Sequence, residues 1–231
     1  MKYLILIALL SVTTLHAQRN VEINKSLSKN QDVFLDFKFA QDIRVEHGNT
    51  NEVKVKASVN IDDGEGNEFF SIKTDNASGQ LKLYSDFGAY FKNQWKDKSR
   101  NNCNLTTEIN YVVTVPKNIN LKIKSISGSV FMDAFQGDLV TDLISGDVII
   151  KKYDGELRLK TISGALDVTV RKAELNAKSL TGTIYSDIEF EKNTSAKSYN
   201  GSHNRVSKQI NGGTLSLEME TISGNIYIRK S

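Results

Sequence analysis

Apolar and polar residues alternate with a period of two along most of this chain. Val33, Leu35, Phe37 and Phe39 form one such run, Val53, Val55, Ala57 and Val59 a second, Leu81 and Leu83 a third, and Ile109, Tyr111, Val113 and Val115 a fourth. Successive side chains of a strand point to opposite faces, so each run predicts a strand with one buried side. Turn clusters at His47-Gly48-Asn49 and Asp62-Asp63-Gly64-Glu65-Gly66 separate them. No stretch carries the periodicity of a long helix.

Beyond Pro116 the alternation becomes a repeat. Near-copies of one tetrapeptide recur at even spacing: Ser125-Ile126-Ser127-Gly128, Leu143-Ile144-Ser145-Gly146, Thr161-Ile162-Ser163-Gly164 and Ser179-Leu180-Thr181-Gly182, with a glycine at every eighteenth position. Looser copies end at Gly201 and Gly224. Aligned on the glycine, Val130, Val148, Leu166, Ile184 and Ile226 occupy one inward column, and Met132, Ile150, Val168, Ser186 and Ile228 the next. A second turn signal at Gln136-Gly137-Asp138 and Asp154-Gly155-Glu156 gives each unit two strands and two corners. The serine-glycine corners are expected to use positive φ, which suits glycine.

One unit cannot repay the entropy of ordering it, so the units must stack. Stacking in sequence order pairs each strand in parallel with its equivalent one winding away. Ser127, Ser145, Ser163 and Thr181 then line up as a hydroxyl ladder. The expected fold is all-β: a parallel β-helix or solenoid with 18-residue coils, right-handed by the crossover preference. Residues 18–116 form a less regular β region that caps or extends it, and residues 117–231 form the repeat region.

Residues 1–17, with Lys2, an apolar run to Leu10 and Ala17 before Gln18, read as an export signal. The run is too short to span a bilayer, and no later segment of the mature chain replaces it. Losing Lys2 lowers the formal charge from +3 to +2, without the basic footprint of a nucleic-acid binder. Cys103 stands alone, so no intrachain disulfide is expected.

Candidate chemistry is sparse. His47 and His203 lie in different halves, and no His or Cys set has metal-ligand spacing, so neither metal nor cofactor is expected. Asp138, Asp142 and Asp147 near the corners are the one carboxylate grouping a polysaccharide-cleaving enzyme would need. The column Lys124, Asp142, Lys160, Lys178 reads more simply as a surface charge ladder. With Lys122 and Arg158 it also forms a candidate basic stripe for acidic glycans. Residues 84–104 lack alternation and gather Phe87, Tyr90, Phe91, Lys92, Trp95 and Lys96, a candidate binding surface on a loop with one helical turn. The competing expectation, which we favour, is that these aromatics fold back to plug the end of the stack.

The corners at Gly128, Gly146, Gly164 and Gly224, and Val115-Pro116 closing a strand before Leu121 and Ile123, resemble the putative-adhesin β-solenoid domains of unknown function found in exported bacterial envelope proteins. The resemblance covers the repeat well and the region before Pro116 loosely; residues 193–204 depart from it as an insertion. It implies a repetitive β-fold at the envelope. The expected function is non-catalytic display or binding of a glycan, surface or protein partner, in the periplasm or at the cell surface. A regulatory or structural component recognising a membrane-bound partner is the alternative class, and a polysaccharide-active enzyme a third.

Overall fold

The computed structural model describes residues 18–77, 79–92, 105–189 and 204–231. Residues 1–17, Trp95, Lys96, Cys103 and His203 lie outside the described residues. Seven strands precede the repeat: β1 (Arg19–Ser26), β2 (Asp32–Asp36), β3 (Phe39–His47), β4 (Glu52–Ile61), β5 (Ser71–Ala77), β6 (Gln80–Asp86) and β7 (Thr107–Val115). Within the repeat come β8 (Ile119–Met132), β9 (Phe135–Ser145), β10 (Val148–Ile150), β11 (Tyr153–Asp154), β12 (Leu157–Ser163) and β13 (Leu166–Val170). The last are β14 (Ala173–Ser179), β15 (Ile184–Ser186), β16 (Asn204–Ile210), β17 (Ser216–Ser223) and β18 (Ile226–Lys230).

The strands form two rows with the core between them. In the first, β5, β6, β2, the leading half of β8, β9, β12, β17, β14 and β16 lie side by side in that order. In the second the order is β1, β4, β7, β3, the trailing half of β8, β10, β13, β18 and β15. Leu35, Ile123, Leu139, Leu157 and Leu217 from the first row meet Ile43, Val130, Val148, Leu166 and Ile226 from the second in one hydrophobic cluster. β8 belongs to both rows because it bends at Gly128, where φ is 127°.

From β8 to β13 the pairing is parallel, and its register is one repeat length: Val130, Val148 and Leu166 stand side by side, as do Leu121, Leu139 and Leu157. The sheet as a whole is mixed. β1 with β4, β4 with β7, β5 with β6 and β14 with β16 are antiparallel, so a purely parallel arrangement does not describe this chain. β2 and β3 add to β8 in parallel, Val33 against Leu121 and Ile43 against Val130, and so prolong the columns of the repeat into the N-terminal region.

The expectation of sequential stacking fails at the fourth copy. β12 pairs with β17, and β17 in turn pairs with β14; likewise β18 lies between β13 and β15. The C-terminal winding is therefore inserted between the third and fourth copies. Charge and packing both favour this order. It places Leu217 and Met219 between two apolar strands instead of at an end, and Glu218 and Glu220 among basic neighbours.

Candidate functional site

At each serine-glycine corner the backbone of one winding lies against the next too closely for any side chain. A β-carbon on Gly146 would sit 2.1 Å from Gly128 O, one on Gly164 2.0 Å from Gly146 O, one on Gly224 1.8 Å from Gly164 O, and one on Gly182 1.8 Å from Gly224 O. Positive φ holds at Gly128 and Gly146 but not at Gly164, Gly182 or Gly224, which corrects the expected reason for glycine there. Close approach, rather than backbone handedness, selects it at the later corners.

The hydroxyl ladder also runs along a different column from the one expected. Thr161 Oγ1 donates to Gly146 O at 3.1 Å, Thr221 Oγ1 to Gly164 O at 3.2 Å and Ser179 Oγ to Gly224 O at 2.9 Å. These are the first residues of the tetrapeptide, in the buried phase of the alternation, so each hydroxyl must find a partner and finds the neighbouring corner's carbonyl. Of the expected column, Ser127 and Thr181 reach carbonyls of adjacent windings, whereas Ser145 and Ser163 make no side-chain hydrogen bond among the described residues.

The rigid corner carries an exposed aliphatic row on its outside. Ile126, Ile144, Ile162 and Ile222 are between 38% and 47% exposed, and neighbouring strands set them side by side in that order, with half-buried Leu180 next. At about 4.8 Å per strand the five rungs extend over about 19 Å. Sequence reasoning missed this row, although its signal was present: the second residue of the tetrapeptide shares the outward phase with Lys122 and Lys124, yet is aliphatic in every copy but the one ending at Gly201.

Beside the row runs a charge ladder in the spatial order Lys124, Asp142, Lys160, Glu220, Lys178. Its contacts are Lys124 to Asp142 at 3.7 Å, Lys160 to Glu220 at 3.3 Å and Lys178 to Glu220 at 3.3 Å. Arg158 pairs with Glu218 at 2.7 Å in the next column. Hydrogen bonding from Lys160, with a smaller contribution from Lys178, holds the Glu220 carboxyl below the ordinary glutamate range against the opposing effect of burial. Most of the candidate basic stripe is thus neutralised by the inserted winding, and Lys122 lies over the Phe34 ring instead, 5.1 Å from its centre.

The candidate aromatic surface divides. Phe87 and Tyr90 are buried, Phe91 is half-buried against the core and Lys92 is exposed, while residues 90–92 are helical. Phe87 meets Phe39 and Phe70 with centroids 5.5 Å apart in both cases, and the Tyr90 hydroxyl donates to Asp62 Oδ2 at 2.9 Å.

Elsewhere the candidate reactive groups are engaged in holding backbone. Asp147 Oδ1 accepts from Ala165 N at 2.7 Å and Asp138 Oδ1 from Glu156 N at 2.9 Å, each clamping the next winding. His47 Nε2 accepts from Gln136 N at 2.8 Å, which leaves Nδ1 to donate to Pro116 O at 3.1 Å. Among the described residues no group of three or more His, Cys, Asp and Glu could hold a metal ion, and no helix is long and apolar enough to cross a membrane.

No family model matches the chain, and no curated protein matches it. Among solved structures it is similar to a putative cell adhesion protein from Clostridium sporogenes, 14% identical, with 92% of this chain and 100% of that one covered at a TM-score of 0.53. A putative adhesin from Bacteroides fragilis is 11% identical over 94% of this chain and 99% of its own, at a TM-score of 0.31. A putative lipid binding protein from Parabacteroides distasonis is 12% identical over 92% and 96%, at a TM-score of 0.21. The likeness to the Clostridium protein is one of fold.

Proposed function

We propose that this chain is a non-catalytic binding protein of the bacterial envelope, and that its isoleucine row is the contact surface for a protein partner. The observation that carries this is the row itself, four aliphatic side chains held in line by a rigid sheet at 38% to 47% exposure. Scattered exposed aliphatics need no account, but a contiguous stripe does. Its flank of mutually paired charges supplies the polar rim that surrounds the apolar centre of a protein interface. Isoleucine offers no flat π-face for a sugar ring, which favours a protein over a glycan on this edge. The fold likeness to a putative cell adhesion protein agrees with a binding role.

In this proposal residues 1–17 direct export to the periplasm or cell surface. Residues 18–116 and 117–231 are two parts of one right-handed, flattened β-solenoid, the first prolonging the second. Phe87, Tyr90 and Phe91 act as a plug on the core, with Lys92 at its rim. Immobilised envelope fractions challenged with the purified protein provide the test. Wild type is expected to bind, and Ile144→Ser/Ile162→Ser to lose most of that binding with an unchanged melting temperature. Protease treatment of the fraction should abolish binding, and periodate oxidation of its glycans should not. Full binding by the double variant, or loss on periodate treatment, would overturn the proposal.

A further inference from the structure

We infer that a cleft on the far side of the windings, between Lys152 and Arg171, binds an acidic saccharide: a sugar unit carrying a carboxylate or a phosphate. This site shares no residue with the isoleucine row and does not depend on it. The cleft follows from the inserted winding. β11 pairs with β9 through Tyr153 against Phe135 and Asp154 against Gln136, and on its other side has no strand among the described residues. In a sequential stack Arg171 and Lys172, one repeat further along the chain, would cover these two positions. Instead they carry the chain past the layer occupied by β17 and into β14. What remains beside Tyr153 is a cleft of about 290 Å³, lined in part by Leu215, with room for one sugar unit.

Its lining is predominantly basic. Lys152, Arg171 and Lys172 line the cleft and have no ion-pair partner among the described residues. Lys151, also on the lining, is held by Asp133 at 2.8 Å, and the acidic groups of the lining are the Asp154 side chain and the carboxylate of Ser231. The contrast with the opposite edge is instructive, since there nearly every cation faces a carboxylate of the neighbouring winding. Unpaired cations converging on a concave surface create a favourable field for an anion, and the guanidinium of Arg171 can grip a carboxylate or phosphate through two parallel bonds.

Tyr153 forms part of the cleft wall and packs against the core. It lines the cleft, and its hydroxyl is shielded from solvent without a hydrogen-bond partner. Burial pushes that hydroxyl's pKa up to about 12, so it stays a neutral donor at any physiological pH. Thr169 and Asp154 stand ready for the hydroxyls of a sugar, which a bare inorganic anion would leave unused.

Titration of the isotopically labelled full chain, followed by NMR at low ionic strength, tests the inference with glucuronate, inorganic phosphate and glucose as probes. Glucuronate is expected to shift resonances of Tyr153, Arg171 and Lys172 and to bind more tightly than phosphate, while glucose at the same concentration does not shift them. Added salt should weaken binding. Arg171→Gln/Lys172→Gln should lose roughly tenfold in affinity or more, and Ile144→Ser/Ile162→Ser nothing, which separates this site from the reading of the other edge. Each of these surface variants reports its own fold through the dispersion of the same spectra. Equal shifts from glucose and glucuronate, phosphate binding without glucuronate binding, or an unaffected Arg171→Gln/Lys172→Gln variant would overturn the proposal.

Discussion

At the corners the governing quantity is the space beside an α-carbon. A β-carbon on Gly164 would lie 2.0 Å from Gly146 O and 2.6 Å from its carbonyl carbon, and both directly follow β9, which is paired on both sides. Neither can yield as a flexible side chain would, so Gly164→Ala is expected to cost at least about 2 kcal/mol, and Gly164→Val more. Chemical denaturation reads the loss, and a midpoint unchanged from wild type would contradict the packing described. Hydroxyls give a finer comparison. Thr161→Val keeps the shape but strips Gly146 O of a donor, for an expected loss of about 1 kcal/mol, whereas Ser163→Ala removes a group without a bonding partner and should stay within about 0.5 kcal/mol. The positions of these glycines were legible from their period. The reason for them was not, because close approach is a property of two windings together and leaves no mark on either one alone.

At the level of the strands, alternation was readable almost throughout: Val33, Leu35, Val55, Ile109, Val130 and Leu166 are all buried where period two puts them, but Phe39, read as continuing the run from Val33, instead opens β3 half-buried and leaves the inward place to Ala40. The order of the strands was not, although one column held the signal. A sequential stack sets Lys160 directly against Lys178, and like charges on adjacent strands are unfavourable. The inserted winding brings Glu220 between them, within 3.3 Å of each. Because the folded Glu220 carboxyl is held below its ordinary value of 4.5, its contribution is present in full above that value and is lost as pH falls through the lower folded value. Side-chain exposure of 43% keeps the effect small, under about 1 kcal/mol. Glu220→Gln should therefore lower stability slightly at neutral pH and flatten the acid limb of the melting temperature against pH below about 4.5. A limb as steep as that of wild type would show that other carboxylates dominate it.

For the molecule as a whole, the inserted winding means that the last strands of the chain become interior ones, and that two copies adjacent in sequence are held apart by a third. Chain order is a natural guess for a repeat, since each unit is equally able to stack on any other and the apolar columns are nearly identical. Only the departures from identity, acidic in the last copy and basic in its two neighbours, distinguish the arrangements. Cross-linking distinguishes them directly. Arg158 and Glu218 are partners on adjacent strands, as are Asn176 and Glu218, while Arg158 and Asn176 stand two strands apart. Adjacent strands lie about 4.8 Å apart and alternate ones about 9.6 Å apart, and a disulfide cannot form when the α-carbons are more than about 7 Å apart. On a background with Cys103→Ser, oxidation should therefore close a bridge in Arg158→Cys/Glu218→Cys and in Asn176→Cys/Glu218→Cys, but not in Arg158→Cys/Asn176→Cys. A bridge in the last pair and none in Arg158→Cys/Glu218→Cys is what stacking in chain order requires. It would remove the inserted winding, and with it the origin of both the paired charge ladder and the cleft beside Tyr153.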